Sequence, residues 1–213
     1  MRNKDLIPQN KLDEVCVIGL GGIGSSVVSL LAIMGFDSII GYDDDTLEEH
    51  NLSTCIYPHK YVGKSKAFAA QALIHEYASL SVGVCESLRW TYNLDVYKNM
   101  IICPDNMEVR RDVYDKWVKQ KDRGFLIDLR MDALAMEIIT VTKDHDDFDS
   151  SWVPSAAIED APCTMKHTIF TSSIVAGLGV NQVFNVLAHK PWYSYIWVGL
   201  MPLNIQRENL IKP

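Results

Sequence analysis

Apolar positions along this chain follow two rhythms. Short unbroken runs at Val15–Ile18, Ser38–Tyr42, Val82–Ser87, Asn99–Cys103 and Gly124–Met131 have the make-up of strands buried on both faces. Between them, Ser25–Met34, Ser65–Ala78, Glu108–Lys121 and Thr168–Leu187 place apolar residues at helical spacing. Ala135–Thr142 alternates and predicts a strand beside Gly124–Met131, and Trp192–Ile205 predicts a closing strand pair. The remainder predicts connections: a frayed lead-in at Met1–Lys11, a short helix or turn at Leu94–Lys98, an acidic loop at Lys143–Ser151 and irregular chain at Trp152–Pro162. Strand and helix in alternation predict an α/β fold, a doubly wound and mainly parallel sheet with an antiparallel C-terminal part. No repeat or linker interrupts residues 1–213, which predicts one domain.

The chemistry concentrates where the first strand breaks. Val15–Ile18 runs into Gly19, Gly21, Gly22 and Gly24, then into Ser25 and an apolar helix, then into a second strand ending at Asp43. Strand, glycine turn, helix, strand and acid form the first half of a Rossmann-like nucleotide-binding unit. The glycines let backbone N–H groups approach phosphate, and the helix N-terminus adds partial positive charge. Asp43 lies about twenty residues beyond the turn, where an acid reaches a ribose hydroxyl. A G-x-G-x-x-G turn taken alone suggests NAD or FAD.

Further along, Asp43, Asp44 and Asp45 cluster at a strand's carboxyl end, either as a solvated loop or where open α/β sheets place ligands. Lys66 falls in the first turn of a helix, against the helix dipole; it is either a solvated lysine or the partner of an anion in front of that helix. Asp105 and Asn106 follow another buried strand, with Arg110 and Arg111 within two turns; Asp105 suits an N-cap, a ligand contact, or both.

Composition narrows the classes. The chain has 213 residues, 48% hydrophobic and 22% charged, ordinary for a globular protein with a substantial core. A net charge of −7 and pI near 5.3 disfavour broad nucleic-acid binding. No uninterrupted apolar run reaches the roughly 18 residues of a membrane span, and the N-terminus lacks a signal-peptide core, so the expectation is a cytoplasmic protein without membrane contact. Five cysteines without a C-x-x-C pair encode neither a zinc knuckle nor a disulfide framework.

Taken together, Gly19-Leu20-Gly21-Gly22-Ile23-Gly24-Ser25, Asp43-Asp44-Asp45, Asn51-Leu52, Gly63-Lys64-Ser65-Lys66 and Asp105-Asn106 with Arg110 resemble the ThiF/MoeB/HesA superfamily, the adenylation fold of ubiquitin-activating (E1) enzymes. The resemblance covers about the first half of the chain. It implies a small zinc-less member that binds ATP and Mg²⁺. Gly21, Gly22 and neighbouring N–H groups would hold the ATP phosphates, Asp43 the ribose, Asn51 and Lys66 the phosphate oxygens, and Asp105 the metal, with Gly19, Gly24, Asp45, Asn106 and Arg110 also among the nucleotide-binding residues. The implied activity is adenylyl transfer to the C-terminal carboxylate of a ubiquitin-like or sulfur-carrier protein or peptide, with a downstream acceptor protein and a homodimer as partners. The family arginine of N-L-x-R-Q is absent: Thr54 and Cys55 stand there, leaving Arg110, Lys64 or Arg2 of a second copy to substitute. Cys163-Thr164 ahead of an apolar helix resembles the thioester cysteine of E1 enzymes; its alternative is a small residue packed at the helix start. Two other readings stand beside this one: an NAD-dependent oxidoreductase, and an E1-like scaffold that binds ATP with little turnover.

Overall fold

The computed structural model describes residues 6–78, 82–157 and 168–212. One eight-stranded mixed sheet carries them, in the order β3-β2-β1-β4-β5-β6-β7-β8. The strands are β1 (Glu14–Ile18), β2 (Ser38–Tyr42), β3 (Gly83–Glu86), β4 (Met100–Ile102), β5 (Phe125–Met131), β6 (Ala135–Thr142), β7 (Trp192–Leu200) and β8 (Leu203–Ile211). β1 to β5 pair in parallel, and β5 to β8 pair antiparallel. The doubly wound α/β architecture expected from the two rhythms is therefore present.

Two-residue alternation makes the layers. Along β1, Val15 and Val17 enter one core while Cys16 and Ile18 enter the other. The first core is closed by α1 (Gly22–Met34), α2 (Lys66–Tyr77) and α5 (Ile169–Leu187). The second is closed by α3 (Met107–Trp117) through Val113, Tyr114 and Trp117, with Trp90 and with Phe148 of the short α4 (Phe148–Ser151). Burial on both faces is why these strands read as unbroken apolar runs.

Some boundaries move. α3 stops at Trp117, short of Lys121, and the last strand runs on to Ile211. Leu94–Lys98 forms no helix, and the acidic loop contains the one-turn α4. α5 corrects the expectation about apolar length, because its 19 residues are long and apolar enough to cross a membrane by length and composition. Here one side of α5 packs on the sheet and α1. Thr171, Val175, Gly179 and Val183 are buried, and a Cβ on Gly179 would stand 2.6 Å from Leu129 Cδ2.

After β1 the chain builds outward to β2 and β3, then returns to place β4 on the other side of β1. Ligands of open α/β sheets bind at such a reversal, outside the carboxyl ends of the strands.

Candidate nucleotide site

At this reversal lies a cleft of about 360 Å³. Gly19, Gly21, Gly22, Asp43, Asp45, Asn51, Lys66, Asp105, Asn106 and Arg110 all line it, so residues up to 91 positions apart share one wall system. Gly24 stands behind it, in the packing of helix on strand.

Three glycines do three jobs. Gly19 has φ +85°, and a Cβ there would sit 2.8 Å from the Cys103 carbonyl, so the β1 and β4 turns touch. At Gly21 a Cβ would meet nothing within 4 Å, which leaves its backbone open to the cleft. Gly24 would drive a Cβ to 1.9 Å from the Gly19 carbonyl oxygen. Gly21 is also the N-cap of α1 and provides no side-chain cap, so the first N–H groups of the helix face the cleft without a side-chain acceptor.

The acidic strand end is an organised turn. Asp43 Oδ2 accepts from the Leu20 N–H at 2.7 Å, and Oδ1 accepts from the Asp45 N–H at 2.9 Å. Burial holds the Asp43 carboxyl above the usual range, an effect partly offset by the Lys66 charge and by those two N–H donors. Asp43, Asp44 and Asp45 can bring one oxygen each within 4.8 Å of one another, a donor set suited to a hard divalent cation.

Lys66 answers the question its position raised. The 45–47 segment pairs with 63–66 through Leu47 N–H to Lys64 carbonyl and Lys66 N–H to Asp45 carbonyl, which sets α2 against the acidic turn. Ser65 caps α2 by accepting from the Phe68 N–H. The anion in front of the helix is Asp45, whose Oδ2 lies 2.6 Å from Lys66 Nζ. Burial lowers the lysine's pKa, but the Asp45 hydrogen bond and the two carboxylates outweigh it, so the ammonium titrates above its ordinary value. Lys66 is only 9% exposed while Asp45 stays open to solvent.

On the far wall, Asn106 and not Asp105 is the N-cap of α3, accepting from the Val109 N–H at 2.9 Å. Asp105, one residue outside the helix, is exposed on the cleft. Arg110 lines the same wall, yet its guanidinium donates to the buried Asp128, to the Pro104 carbonyl and to the Leu129 carbonyl at 3.0 Å. Through its two terminal nitrogens it fastens the turn that carries Asp105. Arg130 holds the other oxygen of Asp128, with Nε at 2.8 Å.

Thr54, where the family arginine is absent, turns its hydroxyl to the Asn51 carbonyl at 3.1 Å. Asn51 Oδ1 accepts from the Glu48 N–H, and this fixes the bend that points the 51–55 segment at the cleft. The first turn of α5 braces two loops: Ser172 Oγ donates to the Thr54 carbonyl and Thr171 Oγ1 to the Ala133 carbonyl, both at 2.9 Å.

Sequence reasoning missed Arg89, Met131 and Tyr42 as cleft residues. Arg89 follows β3, and Asp43 N–H donates to the Glu86 carbonyl at the end of that strand, which brings an exposed guanidinium to the Asp43 side. An arginine just past a strand's carboxyl end was the available signal. Cys163 lies outside the described residues. Of the described cysteines, burial pushes Cys85 and Cys103 up to about 12 and raises Cys16 and Cys55, so these thiols stay protonated at neutral pH.

Comparison with known proteins speaks to the family and the fold. A NEDD8-activating enzyme E1 catalytic subunit of Dictyostelium discoideum is 43% identical over 63 residues, 29% of this chain and 14% of the relative. A ubiquitin-like modifier-activating enzyme 5 of Caenorhabditis elegans is 30% identical over 115 residues, 46% of this chain and 27% of the relative. The chain thus spans about a quarter or less of the length of these two relatives. Among solved structures, E. coli MccB (TM-score 0.80, 17% identity) and PaaA (TM-score 0.78, 18% identity) each cover 96% of this chain, which covers 65% and 67% of theirs. At that identity they speak to the fold. MccB has also been crystallised with ATP and with MccA. The family model of the ThiF family matches residues 8–196, and the chain belongs to that family.

Proposed function

We propose that this chain is an ATP-dependent adenylyltransferase that activates a polypeptide C-terminal carboxylate. One observation carries the reading: a helix N-terminus without a side-chain cap, a buried lysine and an exposed strand-end aspartate converge on one cleft. The relatives support it, being named as activating enzymes, and so does the existence of MccB crystals with ATP and with MccA.

In this reading the open backbone at Gly21 and Gly22 and the first N–H groups of α1 receive phosphate oxygens. Asp43 accepts from a ribose hydroxyl while keeping its bond to Leu20. Lys66, already charged and aimed at Asp45, donates to phosphate oxygens where negative charge grows. Asp105 would hold Mg²⁺, and Asp43, Asp44 and Asp45 are the other carboxylates lining the cleft. The bound ion would neutralise phosphate charge. The substrate carboxylate oxygen attacks the α-phosphorus and forms a new P–O bond; the bond to the bridging oxygen breaks and pyrophosphate leaves with the electron pair. The acid is then held as an acyl-adenylate. The cleft's acids repel a bare triphosphate, and Lys66 with the first N–H groups of α1 are the groups of this chain that offset them.

The carboxylate belongs to a ubiquitin-like or sulfur-carrier protein or a peptide. In this proposal the Cys163 thiol loses its proton to solvent and attacks the acyl carbon of the adenylate, forming a thioester as the acyl–phosphate bond breaks and AMP leaves; the described cysteines are held as protonated thiols. One adenylation unit spans residues 1–213, and two copies form the working dimer.

Thr54 and the engaged Arg110 favour a second reading, a scaffold that binds ATP with little turnover. ATP–pyrophosphate exchange with C-terminal peptides decides between them. Exchange that disappears in Lys66→Ala and Asp105→Ala supports the enzyme. ATP binding without exchange in the wild type supports the scaffold.

A further inference from the structure

A second hollow sits on the same rim of the sheet. β5 and β7 both run antiparallel to β6, so the β5–β6 and β7–β8 turns emerge at the edge that carries the cleft. Between them is a groove of about 360 Å³ lined by Leu134, Trp197, Gly199, Met201 and Pro202, with Asp132 and Asn204 among its polar residues. Its floor is an indole: a Cβ on Gly199 would lie 2.5 Å from Trp197 Cη2, so only glycine lets the ring rest across the strand. Met201 is 81% exposed and Leu134 36%. The groove is preformed. The Leu200 N–H donates to the Leu134 carbonyl at 2.8 Å, the Asp132 N–H to the Ala135 carbonyl at 2.9 Å, and Thr171 ties Ala133 to α5.

The two hollows meet at a single peptide link, since Met131 lines the cleft and Asp132 lines the groove. We propose that this groove seats an apolar side chain in the extended tail of the polypeptide whose terminal carboxylate is activated in the cleft. The inference rests on the carboxyl-activation reading. A carboxylate that reaches the α-phosphorus must trail its chain out over the rim, and an extended chain covers roughly 3.3–3.6 Å per residue. A residue a few positions before the end therefore passes residues 131–135. Strand addition is not on offer there, because Ala135 and Met136 already pair with Gly199 and Val198. Recognition falls to a side chain, and an aromatic floor with leucine and thioether walls selects an apolar one. Asp132 at the groove and the net charge of −7 oppose an acidic tail.

The test uses short Gly-Ser peptides with free carboxylates, in which a single Leu, or a single Glu, is stepped back from the C-terminus. In ATP–pyrophosphate exchange, one Leu position should lower the peptide KM about tenfold or more, as burial of one apolar side chain implies, and no Glu position should. Met201→Asp and Trp197→Ser should erase that gain while leaving the KM for ATP and for the Leu-free peptide unchanged. Met201→Asp changes an exposed side chain, so it keeps the test valid if Trp197→Ser folds poorly. Equal KM at every Leu position overturns the proposal, and so does a groove variant that shifts sedimentation from dimer to monomer, which would make the groove a contact between copies. If no peptide supports exchange, the activation reading fails separately. The groove is then judged by cross-linking of photo-leucine peptides with ATP analogue present: labelling of 132–135 or 197–204 that Met201→Asp abolishes upholds the seat, and its absence ends the idea.

Discussion

Two hollows open on one rim of the sheet, and their construction differs. The cleft over β1, β2 and β4 is made of backbone turns and charge: Gly19, Gly21, Asp43, Lys66 and Asp105. The groove over β5 to β8 is made of apolar side chains on two hairpin turns, Leu134, Trp197 and Met201. Parallel strands bury both faces, so only their ends are left for chemistry. Antiparallel strands joined by short hairpins leave side chains near the turns in solvent, and β8 is exposed along nearly its whole length. A cradle of amides holds any nucleotide phosphate alike, whereas a side-chain groove discriminates among partners. On the activation reading proposed above, the difference would give common chemistry to the first half and choice of substrate to the second.

The sharpest way to break that division is Arg110→Leu. It leaves the fully buried Asp128 with Arg130 alone, and removing one partner of a buried pair costs about 3–5 kcal/mol. Thermal unfolding should show a large drop in Tm, with the nucleotide end losing activity because the Asp105 turn comes loose. An unchanged Tm would mean that Arg110 is not the fastener described. Next in size is Lys66→Ala. Loss of a cation aimed at developing phosphate charge should lower exchange by about 10²–10³-fold, while Tm stays near wild type because the partner Asp45 is exposed. A Lys66→Ala enzyme with normal exchange would move the phosphate site away from α2.

The groove variants come third, with roughly tenfold effects confined to the peptide. The smallest effect sharpens the picture of Asp43. Its carboxyl titrates above the unfolded value of about 3.8 because burial disfavours the charge. A raised pKa contributes stability that is complete below the unfolded pKa and is lost as pH rises through the folded one. At pH 7 wild type has lost that contribution, so its Tm should rise relative to that of Asp43→Asn as pH falls toward 3.8, on top of a constant loss in the variant, whose amide NH2 cannot accept one of the two N–H bonds from Leu20 and Asp45. The same variant should bind Mg·ATP about tenfold more weakly, since a hydrogen bond to a charged acceptor is lost. A wild type that loses stability relative to Asp43→Asn on acidification would reverse the assignment.

Much of the cleft was legible because it depends on local order. Gly19 to Gly24, Asp43 and Asp105 each sit where a strand ends, and strand ends announce themselves by where an apolar run stops. Arg110 was legible as a position but not in its role. Its spacing from Asp105 puts it on the cleft wall, whereas Asp128, which claims its guanidinium, comes from the next strand over. Arg89 carried only a faint local signal, its place just past a strand's carboxyl end, and the Trp197 groove carried none. An arginine in a loop and a tryptophan in a strand acquire meaning only from what the fold sets beside them.

What the chain alone determined was periodicity and punctuation: alternating runs that must become a parallel sheet buried on both faces, and glycines that must turn where a helix begins. Those follow from backbone sterics and from the aversion of apolar side chains to water, and both act over a few residues. What only the folded molecule decided was pairing. Lys66 found Asp45, Arg110 found Asp128, and the turn after Met131 came to lie against the turn after Leu200. Coulomb attraction and contact act between whatever groups the sheet order brings together, and the order of strands is a property of the whole chain.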